Sequence, residues 1–320
     1  MKEEQHVQYP LVTISILNWL NFSDTISCIR SLQGLNYPNV EIIVRDNASP
    51  NDSYEQLKSA FPELHIERPF DNNGFAAGHY QNYLIAKEKG ADLFWILNSD
   101  LELKEDTLTK LMEAYQQFGE HIYGSVSLDP TQQELVDFGG AEWTEDSKKK
   151  LNYNVWKGRS YTELKERHPE VYEVESVEGS SMLIPMEVIE KFGFMHTDFF
   201  MYGEETDYCY RMRQNGVRSM VVTTSLVTHH NEGSTKINPE LKAIPAYYRR
   251  RNALRFFMEH LGMGSMEALA YQNGVYTNLK TVLKGTLSHK KDLNYFYALA
   301  CWHAFLGKKG KTVNPEEFLK

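Results

Sequence analysis

The sequence predicts an α/β protein with a mostly parallel sheet flanked by helices and a helical extension toward its C-terminal end. Two patterns predict this. Short β-branched apolar runs alternate with stretches of helical spacing as far as residue 118, and residues 247–307 keep helical spacing throughout.

The first run, residues 11–17 (LVTISIL), reads as a strand, and residues 21–35 follow it with helical spacing at Ile26, Ile29 and Leu32. The pattern recurs with strands over 40–44, 64–67 and 93–97 and helices over 53–60, 76–89 and 104–118. In such an alternation ligands bind beyond the carboxyl ends of the strands, so the informative residues should stand just after them. Past Tyr123 the regularity fades, and residues 139–157 are polar, aromatic and loop-like. Residues 176–185 (SVEGSSMLIP) read as a strand and 186–192 as a short helix. Gly262, Gly264 and Gly274 mark breaks in the last helical region.

With 320 residues, 42% hydrophobic and 24% charged, the chain has the usage of a folded globular protein. Its net charge of −9 argues against a general nucleic-acid binder, which needs a basic surface. The charge is uneven: residues 236–320 hold 14 Lys and Arg against 6 Asp and Glu, a net of +8, which leaves −17 for residues 1–235. We therefore divide the chain into an acidic body over 1–235 and a basic helical region over 236–320. Cys28, Cys209 and Cys301 are odd in number and lack metal-ligand spacing, and the polar first residues carry no apolar signal core. Both point to a reduced, cytoplasmic setting. No apolar run reaches the roughly 20 residues of a spanning helix.

Five segments carry the candidate chemistry. RDNAS (45–49) puts Asp46 and Asn47 after the second strand, where an acid can accept hydrogen bonds from a nucleoside; an Asx turn is the simpler reading of the segment alone. DNNGFAAGH (71–79) places Asn72 and Gly74 at a glycine-punctuated helix entry, where backbone amides can approach a phosphate or sugar; it matches neither the dinucleotide nor the P-loop pattern, and helix capping with close packing explains it equally well. FWILNSDLEL (94–103) ends a buried strand on Asn98, Ser99, Asp100 and Glu102, oxygen donors suited to a hard divalent ion that shares a pyrophosphate. FFMYGEETDYCYRMR (199–213) crowds Glu204, Glu205 and Asp207 beside aromatic rings, a setting that raises proton affinity and suits a general base. LVTHHNEGS (226–234) offers His229 as a nitrogen ligand, provided the fold brings it to Asp100.

In this order and spacing, residues 12–255 resemble the family 2 inverting glycosyltransferases of the GT-A fold, in particular their bacterial rhamnosyltransferase-like branch. The resemblance implies a Rossmann-like GT-A domain in which Asp46, with Asn47 beside it, holds a uracil or thymine base, and Asn72 and Gly74 lie near the nucleotide sugar. It sets Asn98, Ser99 and Asp100 on the family's D-x-D motif, with Asn98 departing from the pattern and Asp100 left as the ligand of Mg2+ or Mn2+, completed by His229. The family's acidic pair falls on Glu204 and Glu205, with Glu205 as base and Asp207 as the next candidate; Arg251 and Asn252 match an R-N pair after Tyr247 and Tyr248. The expected activity is metal-dependent transfer of a sugar, rhamnose first, from a dTDP or UDP donor to a saccharide or lipid-linked acceptor in cell-surface polysaccharide synthesis.

Two competing functions stay open at this level. A sugar nucleotidyltransferase would want a glycine-rich basic loop near the N-terminus, and residues 17–24 (LNWLNFSD) hold none. A non-catalytic carbohydrate- or nucleotide-binding module is favoured only by Asn98. The apolar stretch 295–306, flanked by Lys290, Lys291, Lys308, Lys309 and Lys311, either lies on an anionic membrane at the inner face of the cell or packs as a helical subdomain or homodimer contact.

Overall fold

A computed structural model describes residues 9–143, 153–230, 243–273, 275–287 and 292–319. The expected alternation is present: β1 (Val12–Asn18), α1 (Phe22–Leu32), β2 (Val40–Asp46), α2 (Ser53–Ala60), β3 (His65–Glu67), α3 (Phe75–Glu88), β4 (Leu93–Asn98), β5 (Leu101–Leu103) and α4 (Thr107–Phe118). Then come β6 (Ile122–Leu128), β7 (Val136–Phe138), β8 (Ala141–Glu142), β9 (Tyr153–Asn154), α5 (Tyr161–Arg167), β10 (Val171–Val174), β11 (Ser181–Pro185), α6 (Met186–Phe192), α7 (Glu204–Gln214) and β12 (Ser219–His229). Among the described residues four α-helices follow, α8 (Ala243–His260), α9 (Ser265–Asn273), α10 (Val275–Thr286) and α11 (Leu293–Phe305), and then a 3-10 turn over Pro315–Phe318.

The main sheet runs β10-β12-β6-β11-β4-β1-β2-β3, with β5 on β12 and β7 on β6. The β4-β1-β2-β3 half is parallel, and β4 (LFWILN) is buried on both faces, which is why it reads as a continuous apolar run. The other half is mixed. β11 runs antiparallel to both β4 and β6, and β12 runs parallel to β6. An antiparallel strand set among parallel ones brings its N-terminal loop to the edge where the others bring their C-terminal ends. Hence Ser181 stands opposite Leu97, and His229 ends β12 opposite Leu101 of β5.

Three differences from the sequence reading have physical causes. β6 and β12 are central strands where periodicity is lost, because Ser125, Ser127, Thr223 and Ser225 are buried in them. Ser125 Oγ lies 3.0 Å from Ser181 Oγ and 2.9 Å from Ser225 Oγ, and Ser225 donates to the Thr107 carbonyl at 2.9 Å, so hydroxyls pair across the sheet in place of methyl groups. The expected strand over 176–185 starts only at Ser181; residues 178–180 turn at the sheet edge instead. The region 139–157 contributes the short pair β8–β9. Gly262 and Gly264 lie in the break between α8 and α9, whereas Gly274, Lys290 and Lys291 lie outside the described residues.

The C-terminal helices share a core with the acidic body. Leu20 and Phe200 are buried with Ile244, Tyr247, Tyr248, Phe296 and Ala300, and α10 and α11 pack as a hairpin beside α8. Beneath α3 lies a polar network: Ser15 Oγ is 2.7 Å from His79 Nδ1, Asn82 donates to the same hydroxyl at 3.0 Å, and Arg45 donates to Asn82 at 3.0 Å. Full burial, reinforced by the nearby Arg45 cation, pushes the His79 imidazole down to about 3 from 6.5.

His79 thus stays neutral in the folded protein while the unfolded chain takes up a proton below about pH 6.5, so this group's contribution is full above that pH and is lost as pH falls, by up to about 1.4 kcal/mol per pH unit. Urea unfolding of His79→Gln between pH 7.5 and 4.5 should show a shallower loss of stability than the parent. Equal slopes would mean that His79 titrates alike in both states.

Candidate active site

A cavity of about 580 Å3 opens beyond the strand ends and collects residues from eight stretches of chain. Asn18 ends β1 fully buried; its amide donates to Asp46 Oδ1 at 2.6 Å and its oxygen accepts from Thr25 at 2.8 Å. Asp46 also accepts from Ser49 N–H at 3.0 Å and Ser49 Oγ at 2.6 Å. Its carboxylate therefore sits behind the wall, and the wall at this point is Asn18 and Asn47. Trp19 follows on the lining, next to Leu20 at φ +70°.

Asn72 and Gly74 line the same cavity. The Asn72 side chain accepts from Gly74 N–H at 2.9 Å, an Asx turn that starts α3. Gly74 has φ +92°, and a Cβ there would collide with the Phe200 backbone. Phe75 N–H donates to the Phe200 carbonyl at 2.7 Å, so the glycine is required by the close crossing of two backbones.

Asn98, Ser99 and Asp100 form the next part of the wall. The fold does bring His229 to Asp100: Nε2 is 3.1 Å from Oδ1, and His230 N–H donates to the Asp100 carbonyl at 3.1 Å. Burial alone would lower the His229 pKa, but the carboxylates of Asp100, Glu178 and Asp137 outweigh it and push it up to about 9. Glu102 points away, its side chain exposed and 3.5 Å from His230. Among the described residues no three His, Cys, Asp or Glu side chains are grouped to hold a metal ion. One carboxylate and one imidazole at this corner still fit a small divalent ion that keeps waters and takes further oxygens from a diphosphate.

The acidic segment enters on a strained loop. Phe200 (φ +70°, ψ −59°, a rare γ-turn geometry), Tyr202 (φ +63°) and Gly203 (φ +91°) are left-handed, and each non-glycine case costs about 1–3 kcal/mol. The loop delivers Glu204 and Glu205 to the first turn of α7 and to the cavity. Glu204 is buried; burial first and the neighbouring Glu205 second raise its pKa well above the usual carboxylate range. Its Oε2 has no hydrogen-bond partner among the described residues. Glu205 is half-buried and accepts from Gly203 N–H at 3.1 Å; burial, with Glu178 nearby, raises its proton affinity against that bond.

Asp207 is not on the cavity wall. Fully buried, it accepts from Arg211 at 2.9 Å and lies 2.6 Å from His260 Nε2 and 3.1 Å from His196 Nδ1. Burial would raise its pKa, yet these partners hold it well below the usual range, so it remains an anion tying α7 to the end of α8. Arg251 and Asn252 are also off the wall, buried behind the acidic loop.

The cavity includes residues that sequence reasoning missed. Glu178, Gly179 and Ser180 belong to the turn that replaced the start of β11, and Glu178 accepts from Ser180 Oγ at 2.6 Å. Arg249 reaches the cavity with its guanidinium 4.2 Å over the Tyr202 ring, while Arg251, two residues along the same helix, points into the core. The run of three arginines at 249–251 was the available signal, but only the helix phase separates their roles.

Comparison with known proteins accords with this geometry. Residues 21–161 match the family model described as glycosyl transferase family 2. The chain is 22% identical over 312 residues to the low-salt glycan biosynthesis hexosyltransferase Agl10 of Haloferax volcanii, covering 95% of this chain and 93% of that protein. Among solved structures it is similar to the mannosyltransferase PcManGT from Pyrobaculum calidifontis in complex with GDP-Man and Mn2+, with a TM-score of 0.58, 11% identity and coverage of 94% of this chain and 88% of that one. It is also similar to GalNAc-T7 with UDP, GalNAc and Mn2+, with a TM-score of 0.55, 14% identity and coverage of 85% and 54%. The fold is thereby the GT-A fold.

Proposed function

We propose that this chain is a metal-dependent inverting glycosyltransferase that moves one sugar from a nucleoside diphosphate donor to a hydroxyl of a saccharide or lipid-linked acceptor in polysaccharide synthesis. The family match and the hexosyltransferase relative support a family 2 glycosyltransferase that uses a nucleotide sugar. The observation that carries the finer reading is that Glu205, a carboxylate of raised proton affinity, shares one cavity with the Asp100–His229 pair.

Glu205 takes the acceptor proton as the acceptor oxygen bonds to the anomeric carbon, and the carbon–oxygen bond to the diphosphate breaks with its electron pair leaving on the phosphate. One displacement with one base inverts that carbon. Asp100 and His229 would hold a divalent ion, which neutralises the charge that gathers on the leaving diphosphate. Asn47 and Asn72 offer amides to the nucleotide and sugar, and Arg249 offers a second cation at the same cavity. Rhamnose on dTDP is the first donor to test, because of the branch resembled.

Release of nucleoside diphosphate from dTDP-rhamnose, UDP-glucose and GDP-mannose in Mn2+ tests the reading; no turnover of any nucleotide sugar with acceptor present would overturn it. Glu205→Gln should bind donor like the parent while transfer falls by about 10²- to 10⁴-fold. A rate within a few-fold of the parent would move the base to another group.

Chelation by EDTA should abolish transfer and added Mn2+ restore it, with Asp100→Ala needing far more Mn2+ than the parent. Full activity in EDTA would remove the metal from the mechanism.

The location of the acceptor follows from the C-terminal face. Leu279 and Leu283 on α10, Leu287 just beyond it and Leu293 and Trp302 on α11 are exposed, and α10 carries Lys280 and Lys284 with no acid. Among the described residues no helix is long and apolar enough to cross a membrane. An exposed leucine row at helical spacing beside lysines suits an anionic membrane surface, each lysine there adding about 1 kcal/mol. The protein should sediment with anionic vesicles at low salt and be released by high salt. If it stays in the supernatant, the membrane reading fails, and a dimer on size exclusion would assign the face to a second copy.

A further inference from the structure

Behind the acidic loop, Asn252 makes an unusual set of contacts for one buried amide. Its Nδ2 group donates to the carbonyls of Tyr202 at 2.6 Å, Met201 at 2.9 Å and Phe199 at 3.2 Å. Its Oδ1 accepts from Arg251 Nε at 2.9 Å, which fixes the amide with its donors toward the loop. Arg251 adds its own bond to the Phe199 carbonyl at 2.7 Å and is anchored on the other side by the Gly310 carbonyl at 2.7 Å and Thr312 Oγ1 at 2.6 Å. Below them the Tyr248 ring packs 4.9 Å from that of Phe200.

Carbonyls from residues 199, 201 and 202 converge on one amide only if the chain curls back on itself, which is what the left-handed Phe200 and Tyr202 do. A Cβ at Gly203 would stand 3.3 Å from the Asn252 Cβ, so the loop has little room to relax toward it. The N–H of that same Gly203 is the donor to Glu205 Oε2. We infer that Asn252, oriented by Arg251, is a positioning residue that holds loop 199–203 in its strained form and thereby aims the Glu205 carboxylate. This rests on the transferase reading for its effect on rate, and on the loop geometry alone for its effect on structure.

Asn252→Asp keeps the shape and the bond from Arg251 but sets an acceptor against three carbonyls. Its turnover should fall about 10- to 100-fold, as misplacement of a reacting group does, with donor KM within about threefold of the parent. Combined with Glu205→Gln it should cost nothing beyond Glu205→Gln alone, because the two act through one carboxylate. Amide exchange in the peptide spanning 199–205 should quicken at least about tenfold while the α8 core is unchanged. Arg251→Lys should give the same signature more weakly and serves if Asn252→Asp does not fold. Losses that multiply in the double variant, a rise in donor KM that matches the fall in turnover, or unchanged exchange in that peptide would each overturn the inference. A parent that turns over no donor would overturn the transferase reading instead, and the exchange measurement would still decide the brace.

Discussion

At Gly74 the first turn of α3 and the backbone of Phe200 approach so closely that a methyl group does not fit between them. That contact joins the half of the molecule built from strand ends to the half that carries the acids. The Phe75–Phe200 hydrogen bond locks the junction, and from it the chain has only four residues to reach Glu204. Such a short span cannot be adjusted by flexible side chains, so the backbone itself takes the strain, in left-handed residues braced from behind by α8. The position of Glu205 is thereby set by backbone contacts on both sides of one short loop.

Charge is the second constraint. The cavity wall carries the carboxyl groups of Asp24, Asp100, Glu178, Glu204 and Glu205 against the cations of Arg249 and His229. A diphosphate would be repelled from such a surface without a positive ion of its own, and burial with the neighbouring Glu205 raises the Glu204 pKa well above the usual carboxylate range. The same crowding supports a base at Glu205, because each neighbouring anion makes its proton harder to lose. Asp207 shows the opposite solution one turn further along α7. There three cationic or hydrogen-bonding partners keep a buried carboxylate charged, and it serves to anchor the helix.

The C-terminal helices have two unlike faces. Toward the sheet, Tyr247, Tyr248 and Phe296 complete a core with Leu20 and Phe200, and Arg251 links the acidic loop to residues 310–312. Away from it, the leucines of α10 and the lysines beside them are left to the surroundings. The basic tail that charge counting separated from the acidic body is thus packed into that body at one side, and its positive balance shows on the other.

Much of this was legible in the chain. Short apolar runs located β1 to β4 and helical spacing located α1 to α4, since central strands buried on both faces read as unbroken apolar runs and helices buried on one face keep a period of 3.6. Polar residues after strands picked out Asn47, Asn98 and Asp100, a glycine-punctuated helix entry Asn72, and the crowding of acids beside aromatic rings Glu204 and Glu205; all of these reach one cavity. What the chain left open was decided by pairing across the sheet. The antiparallel insertion of β11 brings Glu178 to the site, and the β5–β12 pairing brings His229 to Asp100 across 129 positions. β6 and β12 escaped notice because polar Ser and Thr interrupt their apolar runs, and the partners that Ser125 and Ser225 find lie on distant strands, which no local period records. The arginines at 249–251 look alike in sequence, and helix phase within a packed core sends one to the cavity and another to the brace. Local sequence determines which elements form; which side chains meet depends on contacts between residues far apart in the chain, and these exist only once the core has closed.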